Sequence, residues 1–163
     1  MEDLQRDTTA QIRAAVENFF ERNKIKHRPF DEHDVASAAY SVETKFKHTG
    51  IFFHAHKDKL LIRIVIPLHA GEEERLKVAE FLLRANYGLQ IGCFDFDFDD
   101  GEISYRVSMF CGEEDFAPPT CEQIDYAVNI GLNMIEQYGD ALFKVLFGLV
   151  EPEDAIDDAE KDD

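Results

Sequence analysis

The sequence has no tryptophan, only nine glycines and five prolines, and no stretch approaching the run of about 18 apolar residues that a membrane span needs. Bases are scarce as well: 17 Lys and Arg stand against 34 Asp and Glu, a formal charge of −17. A field of that sign repels phosphate backbones and anionic lipid, so neither nucleic acid nor a membrane surface is expected as a partner, and basic or apolar partners are favoured. The stretch from Glu151 carries −7 of this charge, leaving −10 for the first 150 residues. Cys93, Cys111 and Cys121 are an odd number without CxxC spacing, which points to neither a disulfide framework nor a zinc ribbon. The opening MEDLQRDTTAQ has no basic region followed by an apolar one. No signal peptide is therefore expected, and a cytoplasmic location is. The motifs GxSxG, GxGxxG, HExxH and the P-loop are all missing, so nothing places a nucleophile, a base and an orienting group together, and neither an enzyme nor a cofactor is expected.

What is present suits one packed domain. Hydrophobic residues make up 45% of 163 positions, with 14 Phe among them, enough for a core without staples. The chain reads as a single domain over 1–150 and an acidic tail over 151–163, in which Ala155, Ile156 and Ala159 are spaced for a short helix before a disordered end.

The pattern changes period several times. Thr8-Thr9-Ala10-Gln11 fits a capping box, and Ile12, Val16, Phe19 and Phe20 follow at helical spacing to about Arg22. Residues 23–37 are polar with Pro29 inside and read as a loop. Tyr40, Val42, Thr44 and Phe46 then alternate with polar residues as a strand, turning at His48-Thr49-Gly50. Ile51, Phe53 and Ala55 mark a second strand, and Leu60, Ile62, Ile64 and Ile66 a third, stopped by Pro67. After Gly71, three glutamates open a helix with Leu76, Ala79, Leu82 and Leu83 as its apolar stripe. Strands over 89–98 and 102–110 flank Asp100-Gly101. Thr120-Cys121-Glu122-Gln123 is a second capping box, opening a long helix closed by Gly148 and Pro152. Gly131 and Gly139 inside it either allow close packing on the sheet or mark a bend. The order is α-β-β-β-α-β-β-α, an α+β fold with an antiparallel five-stranded sheet packed with helices.

The acidic run FDFDFDDGE, residues 94–102, invites comparison with a calcium loop. An EF-hand needs glycine at its sixth position and glutamate at its twelfth; counted from Asp95 these are Asp100 and Arg106, and the match fails. A hairpin with Asp100-Gly101 as a two-residue turn fits better. It places Phe98, Phe96 and Phe94 opposite Ile103, Tyr105 and Val107, and Asp95 opposite Arg106 on the wet face.

His54 and His56 form an H-x-H pair that could turn two imidazoles toward one metal as part of a metal-dependent enzyme, but no third ligand is apparent. A hairpin turning at Lys57-Asp58 puts Phe52, Leu61 and Val65 on the face away from Phe53 and Ile62, an apolar patch that either a helix or another chain must cover. Cys121 at a helix start could be an activated thiolate, yet no motif surrounds it, and a quiet structural thiol is expected. The tail could act as an acidic decoy for a basic partner.

Two passages carry a resemblance. LLRANYGLQIGCFDFDFDDGEISYRVSMF resembles the second half of the YbjN family, and IDYAVNIGLNMIEQYGDALFKVLFGLVEPEDAI is similar to that family's C-terminal helix. The resemblance spans roughly residues 8–159 and implies the type III secretion chaperone-like fold. It further implies a chaperone-like or regulatory module that binds a protein client, often as a homodimer, with no catalytic residues to carry over. Members bear the label of sensory transduction regulators, which names no mechanism. The H-x-H pair and the acidic tail have no counterpart in that pattern.

Overall fold

The computed structural model describes residues 8–111 and 117–161. The reading of residues 1–7, and of the tail's last two residues as disordered, falls outside them. The chain runs α1 (Thr9–Arg22), β1 (His27–Arg28), β2 (Val35–Ser41), β3 (His48–Ala55), β4 (Lys59–Val65), α2 (Arg75–Asn86), β5 (Cys93–Phe96), β6 (Ile103–Phe110), α3 (Cys121–Leu146) and α4 (Pro152–Ala159). The strands form one antiparallel sheet in the order β1-β2-β3-β4-β6-β5. This is the expected α+β class with six strands in place of five; the added one, β1, lies in the polar stretch read as loop.

α1 buries Ile12, Val16, Phe19 and Phe20, the four residues its spacing singled out. Its capping box does not form. The Thr8 hydroxyl donates instead to the Lys57 carbonyl at 2.6 Å, tying the helix start to the β3–β4 turn.

The first strand lies earlier than its alternation suggested. β2 is the segment VASAAYS, poor in β-formers, and 42–47 is a turn in which Val42 donates to the Lys47 carbonyl and Lys47 adopts φ 66°. His48-Thr49-Gly50, read as the turn, opens β3. Val42, Thr44 and Phe46 are nonetheless buried, because the turn is pressed on α3. The Glu43 and Lys45 amides donate to Glu136 and Asp140 carboxylates at 3.0 and 2.8 Å, and a Cβ on Gly139 would come within 2.8 Å of Thr44.

α2 also departs from its expected stripe. The three glutamates precede the helix, and the core side is Val78, Phe81, Leu82 and Ala85, leaving Leu76 and Leu83 exposed. That arc is selected by the partners it meets: Phe81 packs edge-on to Tyr138 of α3, and Asn86 exchanges hydrogen bonds with Phe94 of β5.

In the last hairpin the face assignment holds but the register is displaced by two. Phe94 pairs with Tyr105 and Phe96 with Ile103, where Val107 and Tyr105 were expected; Cys93 lies opposite Arg106, and Asp95 opposite Ser104. The turn is longer than two residues, with Asp97 and Glu102 as its closing pair and Gly101 at φ 80°. Its acids serve the loop itself: Asp97 accepts from the Asp99 amide and Asp100 from the Glu102 amide. The shift leaves Phe94 buried and Phe98 exposed. Asp95 still reaches Arg106, now diagonally, through contacts of 2.5 and 3.1 Å.

α3 opens with the expected capping box, Thr120 and Gln123 bonded reciprocally. Gly131 lies against Ile64 and Tyr105, so both interior glycines mark close packing. The helix ends in a Schellman motif, with Gly148 donating to Val145 and Leu149 to Lys144. The short helix expected after 151 is α4, with Pro152 at its start and Ala155 and Ile156 buried where it packs against α2 and α3.

Candidate functional site

The four helices of the described residues stack on one side of the sheet. Phe19 and Phe20 of α1 meet Phe53, Gly131 of α3 sits over Ile64, and α2 and α4 pack on α3. The inward residues Ile51, Phe53, Leu60, Ile62 and Ile64 are fully buried by this layer. Strand alternation turns Phe52, Leu61 and Val65 to the opposite side.

Register sets the composition of that outer face. Across the sheet, Ser37, Phe52, Arg63, Arg106 and Cys93 form one row; Val35, His54, Leu61 and Ser108 form the next; and Ala39, Gly50, Val65, Ser104 and Asp95 the third. Phe52, Leu61 and Val65 are half-buried. The Phe52 ring folds along its own strand, so that a Cβ on Gly50 would approach it at 3.2 Å. The three expected residues therefore share one face with Arg63, which the turn at Lys57-Asp58 also puts there: it sits directly opposite Phe52 and next to Arg106.

Each arginine has its own acid. Arg63 donates to Glu102 at 2.6 Å and to Ser104 at 3.0 Å, while Arg106 is held by Asp95 and approaches the Cys93 sulfur at 3.2 Å. Arg63, Asp95, Phe96, Asp97, Phe98 and Glu102 line an open groove of about 370 Å³ at the β5–β6 end. Glu102 escaped notice because its partner is 39 residues away; the two-residue turn would have paired it with Asp99.

The histidine pair shares this face. The rings of His54 and His56 stack in parallel at 6.4 Å, and His54 pairs with Leu61 in the register. Burial first, then the Arg63 guanidinium and His56, hold the His54 imidazole below its usual range. Among the described residues no group of three or more His, Cys, Asp or Glu is placed to hold a metal ion. Cys121 is buried, with the Asn18 amide at 3.1 Å. Burial pushes the Cys93 and Cys111 thiols up, away from the thiolate a nucleophile requires.

The sheet also offers open edge. β6 pairs with β5 only up to Arg106, and residues 107–110 pair with β4 alone among the described strands. Phe110, at the end of this segment, is exposed. The tail acids are partly engaged: Glu151 with Lys77, Asp158 with Lys144 and Lys161, and Glu160 with the Tyr138 hydroxyl. No helix among the described residues is long and apolar enough to cross a membrane.

Known proteins match this architecture. One chain in the crystal structure of the ExsC–ExsE complex superposes with a TM-score of 0.51 at 17% identity, over 81% of this chain and 93% of that one. The two share the type III secretion chaperone-like fold that the sequence implied. No curated relative matches. The YbjN family, described as "putative bacterial sensory transduction regulator", matches residues 13–144, which includes every strand and most of α3. The chain belongs to the YbjN family.

Proposed function

We propose that this protein is a non-enzymatic, chaperone-like or regulatory module that binds a protein client on the outer face of its sheet. The observation that carries this reading is the one-sided layering among the described residues: their four helices lie on the inner face, and none of them covers Phe52, Leu61 and Val65. Family membership and the shared fold support a protein-binding role, as does a structural neighbour that is part of a complex. An extended client segment would place apolar side chains beside Phe52 and Leu61 and add its backbone to the open edge at 107–110. Binding of this kind needs no cofactor and suits the cytoplasm. The homodimer implied by the resemblance belongs to the same reading, two copies pairing through the sheet or a helix so that Phe52 and Leu61 are left to the client.

The test is a cross-linked pull-down from the native cell with the wild type and Leu61→Glu side by side. The half-buried, outward position of Leu61 lets the variant keep its fold, checked by circular dichroism. A specific protein recovered by the wild type should be missing from the variant. Equal recovery by both, or none by either, removes the sheet face as the binding surface. Light scattering after gel filtration that shows only monomer at tens of micromolar removes the homodimer.

A further inference from the structure

The outer face of the sheet carries arginines in one line. The register joins Arg28 of β1 to Ser37, Ser37 to Phe52, Phe52 to Arg63, Arg63 to Arg106 and Arg106 to Cys93, a single row over every strand. Residues directly opposite one another turn the same way, so Arg28 projects from the face that carries Phe52. The next residue bears out this parity: His27 pairs with the buried Ala38 and stacks on Phe20 of α1 at 4.1 Å, on the inner side.

The arginines differ in what holds them. Arg63 has Glu102 at 2.6 Å and Arg106 has Asp95 at 2.5 Å, acids that the fold itself brings. Arg28 is exposed and makes no ion pair with any described residue, and neither do Lys24 and Lys26 before it. The acids that follow it are turned elsewhere: Asp31 accepts from the His33 and Val35 amides, Glu32 lies beside His33, and Asp34 pairs with Arg13. The face thus presents an apolar centre with an unpaired cation two strand spacings, about 10 Å, from Phe52.

We propose, resting on the outer sheet face as the client surface, that Arg28 selects the client by pairing with an aspartate or glutamate on the same extended segment whose apolar side chain seats at Phe52 and Leu61. An extended chain turns every second side chain to one surface at intervals of about 7 Å, so the acid stands two or four positions from the apolar anchor. A run of about eight residues reaches from the open edge at 107–110 across the face to β1. The net charge of −17 repels a polyanion far more than a peptide with one or two acids, which favours a peptide over nucleic acid. A second copy presenting the same face is the poorer occupant. Among the described residues Asp95 is the one acid that lies in a strand, and it is already bonded to Arg106.

The test selects random phage-displayed peptides of about 12 residues on the full-length protein, then titrates an enriched peptide, labelled with fluorescein, by anisotropy. Enriched sequences should share an apolar anchor with an acid two or four positions away, and Leu61→Glu should abolish their binding. Arg28→Glu should weaken it at least about tenfold, while Arg28→Lys, which keeps the charge, stays within about threefold. A peptide with its acid changed to lysine should prefer Arg28→Glu to the wild type. Because Arg28 is exposed, melting temperatures should hold. An apolar consensus with no acid at that spacing, or an Arg28→Glu affinity within about twofold of wild type, would overturn the assignment and leave the sheet face as the client surface; a charge that merely blunts a sheet edge behaves in this way. Failure to select any peptide whose binding Leu61→Glu abolishes would remove the client surface itself, and the role of Arg28 with it. A wild-type dimer that Arg28→Glu turns into a monomer would give the contact to a second copy. A labelled single-stranded oligonucleotide bound by the wild type and released by Arg28→Glu would give it to nucleic acid, and either result overturns the proposal.

Discussion

Gly101 allows the hairpin geometry to be tested in energy units. It sits at φ 80°, and a Cβ there would stand 2.3 Å from the Ala70 carbonyl oxygen and 2.8 Å from the Ala70 nitrogen. The Ala70 amide meanwhile donates to the Gly101 carbonyl at 2.9 Å. Gly101→Ala therefore incurs two separate costs. Holding a Cβ-bearing residue in the left-handed region costs about 1–2 kcal/mol. Because the clash is with backbone, the segment at Ala70 must retreat, and the lost hydrogen bond adds about 0.5–1.5 kcal/mol. The sum is about 2–3 kcal/mol, a fall in Tm of about 5–10 °C for a chain of this size. Urea unfolding followed by circular dichroism measures it. Gly101→Asn separates the two parts, because asparagine tolerates the left-handed region but carries the same Cβ, so it should stay at least about 1 kcal/mol below the wild type. A Gly101→Ala protein within about 0.5 kcal/mol of wild type, or an asparagine variant equal to it, would refute the close approach to Ala70.

Three further outcomes follow from contacts described above. Thr120→Ala removes the acceptor of the Gln123 amide and should destabilise by about 1 kcal/mol in chemical denaturation, with most of the loss remaining in Thr120→Val. Ile156→Ala should cost about 2 kcal/mol, because α4 is packed on α2 and α3; a Tm unchanged by this substitution would mean that the acidic C-terminal stretch is not part of the packed unit. His54 is held below its ordinary value of 6.5, so the unfolded chain binds its proton first. Stability should then be complete above the unfolded value and decline as pH falls below about 6.5, and His54→Gln should flatten that part of the profile.

Much of the core was legible because it rests on repeats that are local. α1 declared all four of its buried residues, the capping box of α3 formed as written, and the β3–β4 register followed from a turn at Lys57-Asp58. What escaped depends on partners distant in sequence. Val42, Thr44 and Phe46 alternate in burial as a strand would, but the cause is a turn seated on Gly139. The hairpin slip has a similar origin: Gly101 is held against Ala70 by the Ala70 amide, a partner far back in the chain, while Asp97 and Glu102 close the longer turn. On α2, leucine content pointed to the wrong arc, because the choice belongs to Tyr138 and Phe94. The outer-face patch and the Asp95–Arg106 pair were visible in strand parity, whereas Glu102 as the partner of Arg63 was not.

The docking of the β2–β3 turn on α3 has a consequence for the order of events during synthesis. Its hydrogen bonds join residues 93 and 95 positions apart, and α1 reaches α3 through Arg22–Glu122 and Asn18–Cys121 across 100 and 103. While a ribosome is still making the middle of the chain, the first half has only α1 as an inner layer, enough to meet Phe53 but leaving Ile64 with nothing to close against. The early hairpins must wait, apolar side open, until residue 140 has emerged. A nascent chain halted before α3 would be the form most exposed to aggregation and to holding factors, and the emergence of α3 the step that commits it to fold.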